Sequence, residues 1–208
     1  NGMTTSPVAV KFLAEGEEVS GYDSTGKMRY CQTLMKARHG SKVLLNADNI
    51  TCPASAAAFG FKPLPEKLAS GEMLATMGLF ATPEAGAETL NKMLRVPPGK
   101  YAAVALAPLE TADYKPDVVV IESNPEHLMW MALASIYQTG GRLTFSSGIF
   151  QATCVDSTNV PFLTQNVNTT LGCYSCREAT DISETECLIG IPWIKFEEIV
   201  NSLERLSE

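Results

Sequence analysis

The sequence predicts an α+β fold: a single compact domain over residues 1–208, made of two similar halves that each join a sheet to flanking helices. Three observations lead there. Short β-branched runs such as Pro7–Leu13 and Pro116–Ile121 read as strands. Stretches with helical spacing, opened by proline and closed by glycine, lie between them. The order strand, helix, glycine, strand, cysteine, strand, helix also occurs twice, which reads as an internal duplication of 7–95 and 116–207 joined by 96–115.

In chain order, Pro7–Leu13 is the first strand and Glu15–Lys27, rich in glycine and polar groups, is a loop. Met28–His39 carries apolar residues at helical spacing, and Gly40 stands where a C-terminal cap belongs. Lys42–Leu45 predicts a strand. Cys52-Pro53 opens an alanine-rich helix to Phe59. Glu72–Leu79 predicts another strand, and Thr82-Pro83-Glu84 caps a helix reaching Leu94. Val96-Pro97-Pro98-Gly99-Lys100 is a linker, with a strand after it at Tyr101–Leu106. The second half then follows: a strand at Pro116–Ile121, a helix capped by Asn124 with Pro125 at its first position, and a stop at Gly140-Gly141. Arg142–Phe145 and Glu186–Ile191 predict strands and Trp193–Leu206 a helix.

Composition narrows the function. With 45% hydrophobic and 19% charged residues the chain can bury a core. Its formal charge of −7 argues against nucleic acid and anionic membranes as partners, since both demand a basic face. No run approaches the ~20 apolar residues that cross a bilayer, and no charged stretch followed by an apolar one opens the chain. The expectation is a cytoplasmic protein. In that reducing compartment six cysteines read as ligands or buried thiols rather than disulfides.

Cys173 and Cys176 have the two-residue gap that lets both sulfurs face one metal or cluster, and the same gap serves dithiol redox chemistry. Cys31, Cys52 and Cys154 are scattered, so folding would have to gather them. In a duplicated fold Cys52 and Cys154 would approach across a pseudo-twofold axis. The bland reading is that each cysteine packs as a small hydrophobe. A dithiol site of the thioredoxin kind would place the pair at a helix start after a strand, with Arg177 lowering the thiol pKa. His39 reads as a helix-end cation and His127 as a surface residue, which leaves a serine–histidine–acid triad without support. Phosphate loops are missing. Met129-Trp130-Met131 reads as a core face, and Ser146-Ser147-Gly148 as either an ordinary turn or an oxyanion cradle.

Taken together, PVAVKF, Cys31-Gln32, Ala37-Arg38-His39-Gly40, Cys52-Pro53, PDVVVIESNPEHLMW, Gly140-Gly141-Arg142-Leu143, Cys154-Val155-Asp156, Gly172-Cys173, Arg177 and Ile189-Gly190-Ile191-Pro192 carry a resemblance. It covers nearly the whole chain. The sequence resembles an uncharacterised prokaryotic family catalogued as domain of unknown function 169. The resemblance implies a protein associated largely with anaerobes, with cysteines recurring in its motifs, and implies no particular activity.

The leading expectation is therefore a protein that binds an iron–sulfur cluster or another thiolate-ligated metal. Cys173 and Cys176 would be ligands, Cys31, Cys52 and Cys154 would complete the set, and Cys187 would stand in reserve. Arg177 would offset thiolate charge. One alternative is an enzyme using Cys173 or Cys154 as nucleophile or redox thiol on a small anionic ligand near Arg142 and Arg177. The other is a non-catalytic domain for a small molecule or partner. A redox partner protein would suit a metal centre; the oligomeric state is not legible.

Overall fold

The computed structural model of the protein describes residues 5–148 and 150–207. Six strands, β1 (Val8–Leu13), β2 (Val43–Asn46), β3 (Ala103–Pro108), β4 (Val118–Ser123), β5 (Asn168–Thr170) and β6 (Cys187–Pro192), form one sheet in the order β2-β3-β1-β4-β6-β5. Every neighbouring pair is antiparallel. The helices in chain order are α1 (Tyr30–Arg38), α2 (Pro53–Ala58), α3 (Glu66–Ala69), α4 (Glu72–Thr76), α5 (Pro83–Asn91) and α6 (Pro125–Ser135). A π-helical segment (Ala152–Asn159) leads into α7 (Val160–Thr164), and α8 (Tyr174–Ala179) and α9 (Trp193–Leu206) follow. The chain is α+β. Among the described residues no helix is long and apolar enough to cross a membrane.

The central strands are apolar at consecutive positions because both faces are covered. Val8, Val10 and Phe12 of β1 join Val118 and Val120 of β4 on one face, beneath α1, α2, the π-helical segment and α8. Val119 and Ile121 face the other way, with Ile189 and Ile191, against Leu128 and Met131 of α6 and Ile199 of α9. Helices α3 to α5 form a small cluster of their own around Leu68, Leu74 and Leu90. Aromatic rings seal the first face. Phe12 stacks on Phe162 with centroids 4.3 Å apart, and Tyr30 meets Phe59 edge to face at 4.8 Å.

Capping chemistry explains the start of α6. Asn124 Oδ1 accepts from the His127 N–H at 2.9 Å with Pro125 in the first turn, as the sequence predicts. Two predicted strands are absent. Glu72–Leu79 contains α4, which starts from Gly71 in the left-handed region at φ 75° and packs Leu74 inward. Arg142–Phe145 has no strand beside it. The chain just beyond pairs with a side chain instead: Ser146 N–H donates to Asn168 Oδ1 and Asn168 Nδ2 donates back to Ser146 C=O, each at 2.8 Å. Of Met129-Trp130-Met131, only Met131 is buried; Met129 and Trp130 are 47% and 40% exposed.

The strand order reads alike from both edges if β1, β2 and β3 are matched with β4, β5 and β6. The helices do not follow. Helix α1 lies on the Val10 face and α6 on the Val119 face. Moreover β3, which matches β6, comes from the segment read as a joint. Duplicated halves are thus not shown; the six strands make one continuous sheet.

A buried ion cluster fixes α1 against β4. Arg38 Nη1 lies 2.6 Å from Glu122 Oε2, their side chains only 5% and 3% exposed. The same guanidinium lies 3.3 Å from both Asp181 and Glu186 in the segment preceding β6. One cation thus serves three carboxylates. Burial pushes the Glu122 carboxyl up to about 7, and Glu186 and Asp181 add to it against the opposing pull of Arg38. A carboxyl raised in the folded state contributes stability that is complete below its ordinary 4.5 and is lost as pH climbs through about 7. Urea melts across that window should show the advantage of wild type over Glu122→Gln shrinking by up to about 1.4 kcal/mol per pH unit. Parallel curves for the two chains would refute it.

Candidate functional site

Backbone pairing brings the cysteine-bearing segments together. The Met28 N–H donates to Asn49 C=O at 3.1 Å and the Thr51 N–H to Met28 C=O at 3.0 Å. This short parallel pairing sets the start of α1, with Cys31, beside Cys52 at the start of α2. Gln32 Oε1 accepts from the Arg29 N–H at 3.0 Å and so closes the first turn of α1. Gln32 Nε2 reaches Ala179 C=O at 3.4 Å, tying α1 to α8. Strand β5 delivers the chain through Leu171-Gly172 to Cys173, which caps α8 by accepting from the Cys176 N–H at 3.4 Å. A dithiol at a helix start after a strand is the placement the sequence reading required of a redox pair.

Cys31, Cys52, Cys154, Cys173 and Cys176 all line one cavity of about 230 Å³. The rest of its wall is largely apolar, with Leu68, Leu74 and Phe150, and with the half-exposed thioethers of Met73 and Met77. Among the described residues no carboxylate or imidazole lines it; Arg29 supplies the charge, and its side chain is exposed. Four of the thiols are nearly sealed, Cys154 at 2% exposure being the deepest. Cys52 is half-buried.

The thiols bond to one another and to hydroxyls. Cys173 Sγ donates to Cys176 Sγ at 2.7 Å. Ser55 Oγ donates to Cys154 Sγ at 3.2 Å, and Thr153 Oγ1 lies 3.5 Å from Cys176 Sγ. These surroundings favour the neutral form. The hydrogen bond to Cys176, followed by burial, pushes the Cys173 thiol far up. Burial, then the nearness of Cys52, does the same to Cys154. Cys176 gains a proton donor in Cys173, which favours its thiolate, yet its hydrogen bond with Cys31 and its burial leave it pushed up to about 11.

The other predicted residues stand apart from this cavity. Arg177 spends its guanidinium on the backbone carbonyls of Leu171, Ser183 and Glu186, the last two at 2.6 Å. It shapes the thiol loop from outside. Arg142 is exposed in the segment after α6. Cys187 packs against the Val119 and Ile121 cluster on the opposite face. His39 closes α1 and meets Asp181 at 2.6 Å, while His127 Nδ1 pairs with Ser123 Oγ at 2.8 Å. The serine of the predicted oxyanion turn is engaged: Ser147 Oγ donates to Asp156 Oδ2 at 2.8 Å. Among the described residues, no group of three or more histidine, cysteine or acidic side chains is arranged to hold a metal ion.

One residue of the cavity wall escapes sequence reasoning. Gln151 precedes the π-helical segment, is 5% exposed, and takes a left-handed backbone at φ 63°, ψ 38°. That conformation costs a non-glycine residue on the order of 1 kcal/mol. Neither its Oε1 nor its Nε2 has a hydrogen-bond partner among the described residues. A glutamine before Ala-Thr-Cys carries no spacing signal that could have marked it.

Comparison with known proteins gives two matches. The model of a family described as uncharacterised ArCR, domain of unknown function 169, matches residues 2–202. The uncharacterised protein MJ0308 of Methanocaldococcus jannaschii is 30% identical over 205 residues, which is 97% of this chain and 88% of that protein. No solved structure matches.

The thiol environment makes a kinetic prediction. A buried thiol raised to about 11 should react with iodoacetamide at pH 7 at least a hundredfold more slowly than free cysteine, whose pKa is near 8.5. Mass-spectrometric mapping of the labelled chain should find Cys52 and Cys187 modified before Cys154, Cys173 and Cys176. A fast-reacting Cys173 or Cys154 would contradict the neutral-thiol picture.

Proposed function

The chain belongs to the family of uncharacterised ArCR proteins, domain of unknown function 169, and within that family we propose that its thiol-lined cavity is the ligand set of a soft metal centre, an iron–sulfur cluster or another thiolate-bound ion. The observation that carries this reading is the convergence of Cys31, Cys52, Cys154, Cys173 and Cys176 on one cavity. These cysteines come from segments far apart in sequence, and packing alone would not require them to share a wall. Five thiols with no carboxylate or imidazole among the described lining residues suit soft or borderline ions and disfavour magnesium or calcium.

The protonation state supports the same reading. Neutral thiols are poor nucleophiles, which weighs against an enzyme that attacks with a resting cysteine. A metal ion reverses the balance by replacing the proton on each sulfur it binds. Loading then requires the thiols to close on the ion and release their protons. The chain's residues would hold the centre, shield it under Phe150 and the methionines, and leave Arg29 outside.

A second reading rests on the 2.7 Å contact of Cys173 and Cys176 at the start of α8. As a dithiol the pair would pass two electrons and two protons to a disulfide partner and become a disulfide itself. Its raised thiol pKa slows that exchange and places this reading second.

Anaerobic purification with reconstitution decides between them. Iron with acid-labile sulfide, or another soft ion, should be bound in near-stoichiometric amount and lost in Cys173→Ala/Cys176→Ala. Its apparent affinity should rise at least about a hundredfold per pH unit, because two or more thiols each release a proton. Chain that stays metal-free after exposure to iron and sulfide, zinc and copper(I) overturns the metal reading. If it also cycles between dithiol and disulfide, the second reading takes its place.

A further inference from the structure

Arg142–Phe145 has the residues of a strand and no strand to pair with. Gly140 and Gly141, at φ 64° and 93°, turn the chain back after α6. Among the described residues, Gly141, Arg142, Leu143, Thr144 and Phe145 make no backbone hydrogen bond. All of them are exposed except Leu143, which is half-buried. The segment passes the open edge of β5, the last strand of the sheet. On one side Ser147 Oγ lies 2.9 Å from Thr170 Oγ1 of β5. On the other Phe145 lines a cleft of about 360 Å³ with Leu128 and Met129 of α6 and with Leu171. A bare row of backbone groups at the edge of a sheet is a template for another chain.

Charge selects the chain that fits. A formal charge of −7 makes two copies repel each other except where acids are missing. Between Glu126 and Asp156 the sequence holds no acidic residue, and Arg142 is its one arginine or lysine. The same face is apolar: Met129 is 47%, Phe145 36% and Leu171 62% exposed. Strand geometry then fixes a self-matching register. Ser146 gives its N–H and C=O to Asn168 of β5. Alternate residues of a strand present these groups to opposite sides, so Leu143 and Phe145 present theirs to the open side. A twofold axis normal to the sheet through Thr144 sets it opposite Thr144 of the second copy. Leu143 then exchanges both backbone bonds with Phe145 of the second copy. Threonine pairs and aromatic–aliphatic pairs are favourable across strands. The two Arg142 side chains end roughly 13 Å apart, beyond the Debye length of about 8 Å at physiological salt.

We propose that the protein pairs with a second copy of itself through Arg142–Phe145, the two segments joining antiparallel about Thr144 and extending the sheet from one copy into the other. The axis keeps Phe145 of both copies on the α6 face, so each cleft is covered in part by the other copy. This goes beyond the metal reading and does not depend on it, because no thiol of the cavity belongs to the paired segment.

The test is sedimentation equilibrium of the full chain, with substitutions at Thr144. Wild type should sediment as a dimer of the 22.4 kDa chain. Thr144→Asp sets two carboxylates against each other and should raise the dimer dissociation constant at least about fivefold, while Thr144→Val should leave it within about twofold. Facing Cα atoms in such a pair lie ~4.5 Å apart, inside the range a disulfide spans. Mild oxidation of Thr144→Cys should therefore join two chains through the introduced thiols, as peptide mapping would show. Ser20→Cys, also exposed but away from the segment, should not cross-link. Thr144 is exposed, so these variants keep the fold, and the cross-link decides even where Thr144→Asp does not express. A wild-type chain that stays monomeric up to its solubility limit overturns the proposal and leaves the face to a different protein. A dimer indifferent to Thr144→Asp, or one that Thr144→Cys does not cross-link, overturns it too. Metal content of the same variants reports on the metal reading separately.

Discussion

The structure depends on satisfying a buried π-helical segment. All eight residues of Ala152–Asn159 are withdrawn from solvent, and five of them have polar side chains. Those groups need protein partners, and among the described residues all but Asn159 Oδ1 find them. Asn159 Nδ2 donates to Ala58 C=O at 2.7 Å and to Leu94 C=O at 3.0 Å, which anchors the ends of α2 and α5. Thr158 meets Tyr30 of α1 at 2.9 Å. Asp156 accepts from Thr170 of β5 at 3.0 Å. Gly190 of β6 leaves the room the segment needs, because a Cβ there would strike the Ser157 carbonyl. These bonds place Cys154 opposite Cys31, Cys52 and the Cys173/Cys176 pair. The site is thus a by-product of polar satisfaction: the contacts that let Asn159 and Asp156 be buried also aim the thiols.

The electrostatics of the two buried clusters run in opposite senses. Around Arg38 burial, with Glu186 and Asp181 close by, drives Glu122 toward its neutral form. In the thiol cavity the described lining offers no cation apart from exposed Arg29, and burial with the neighbouring thiols pushes Cys154, Cys173 and Cys176 toward their neutral form. In both clusters burial favours the protonated form of a group, the Glu122 carboxyl in one and the thiols of Cys154, Cys173 and Cys176 in the other. They differ in what could replace the proton. Hard carboxylates already hold a guanidinium, while soft sulfurs face an open space.

How much of this was legible follows residue by residue. Pro7–Leu13 and Pro116–Ile121 declare themselves because a strand buried on both faces must be apolar throughout. Asn124-Pro125 and Trp193–Leu206 declare themselves because caps and a helical apolar stripe are local. The shared wall of the five cysteines was expected only as something folding might supply; no spacing among Cys31, Cys52 and Cys154 encodes it. Strand β5 is three residues, Asn-Thr-Thr, with no apolar pattern, and it exists because β6 pairs with it. Arg142–Phe145 is the converse case: its residues suit a strand, but it forms none, and the pairing just beyond it is with an asparagine side chain at Ser146. The π-helical segment shows no period at all, since its polar residues are buried by tertiary partners rather than turned outward. Arg177, expected to offset thiolate charge, gives its guanidinium to backbone carbonyls.

That arginine has a consequence for how the molecule communicates. Its guanidinium gathers the carbonyls of Leu171, Ser183 and Glu186, so one side chain links the loop carrying Cys173 to the segment leading into β6. The Glu186 carboxylate at the far end of that link touches Arg38, whose other partners are Glu122 and Asp181. Any occupant that displaces the thiol loop therefore displaces a partner of the ion cluster as well. By thermodynamic reciprocity the proton on Glu122 then bears on the occupant by the same amount. The sulfur-lined cavity and the acid cluster, separate in chemistry, are geared through one shared residue.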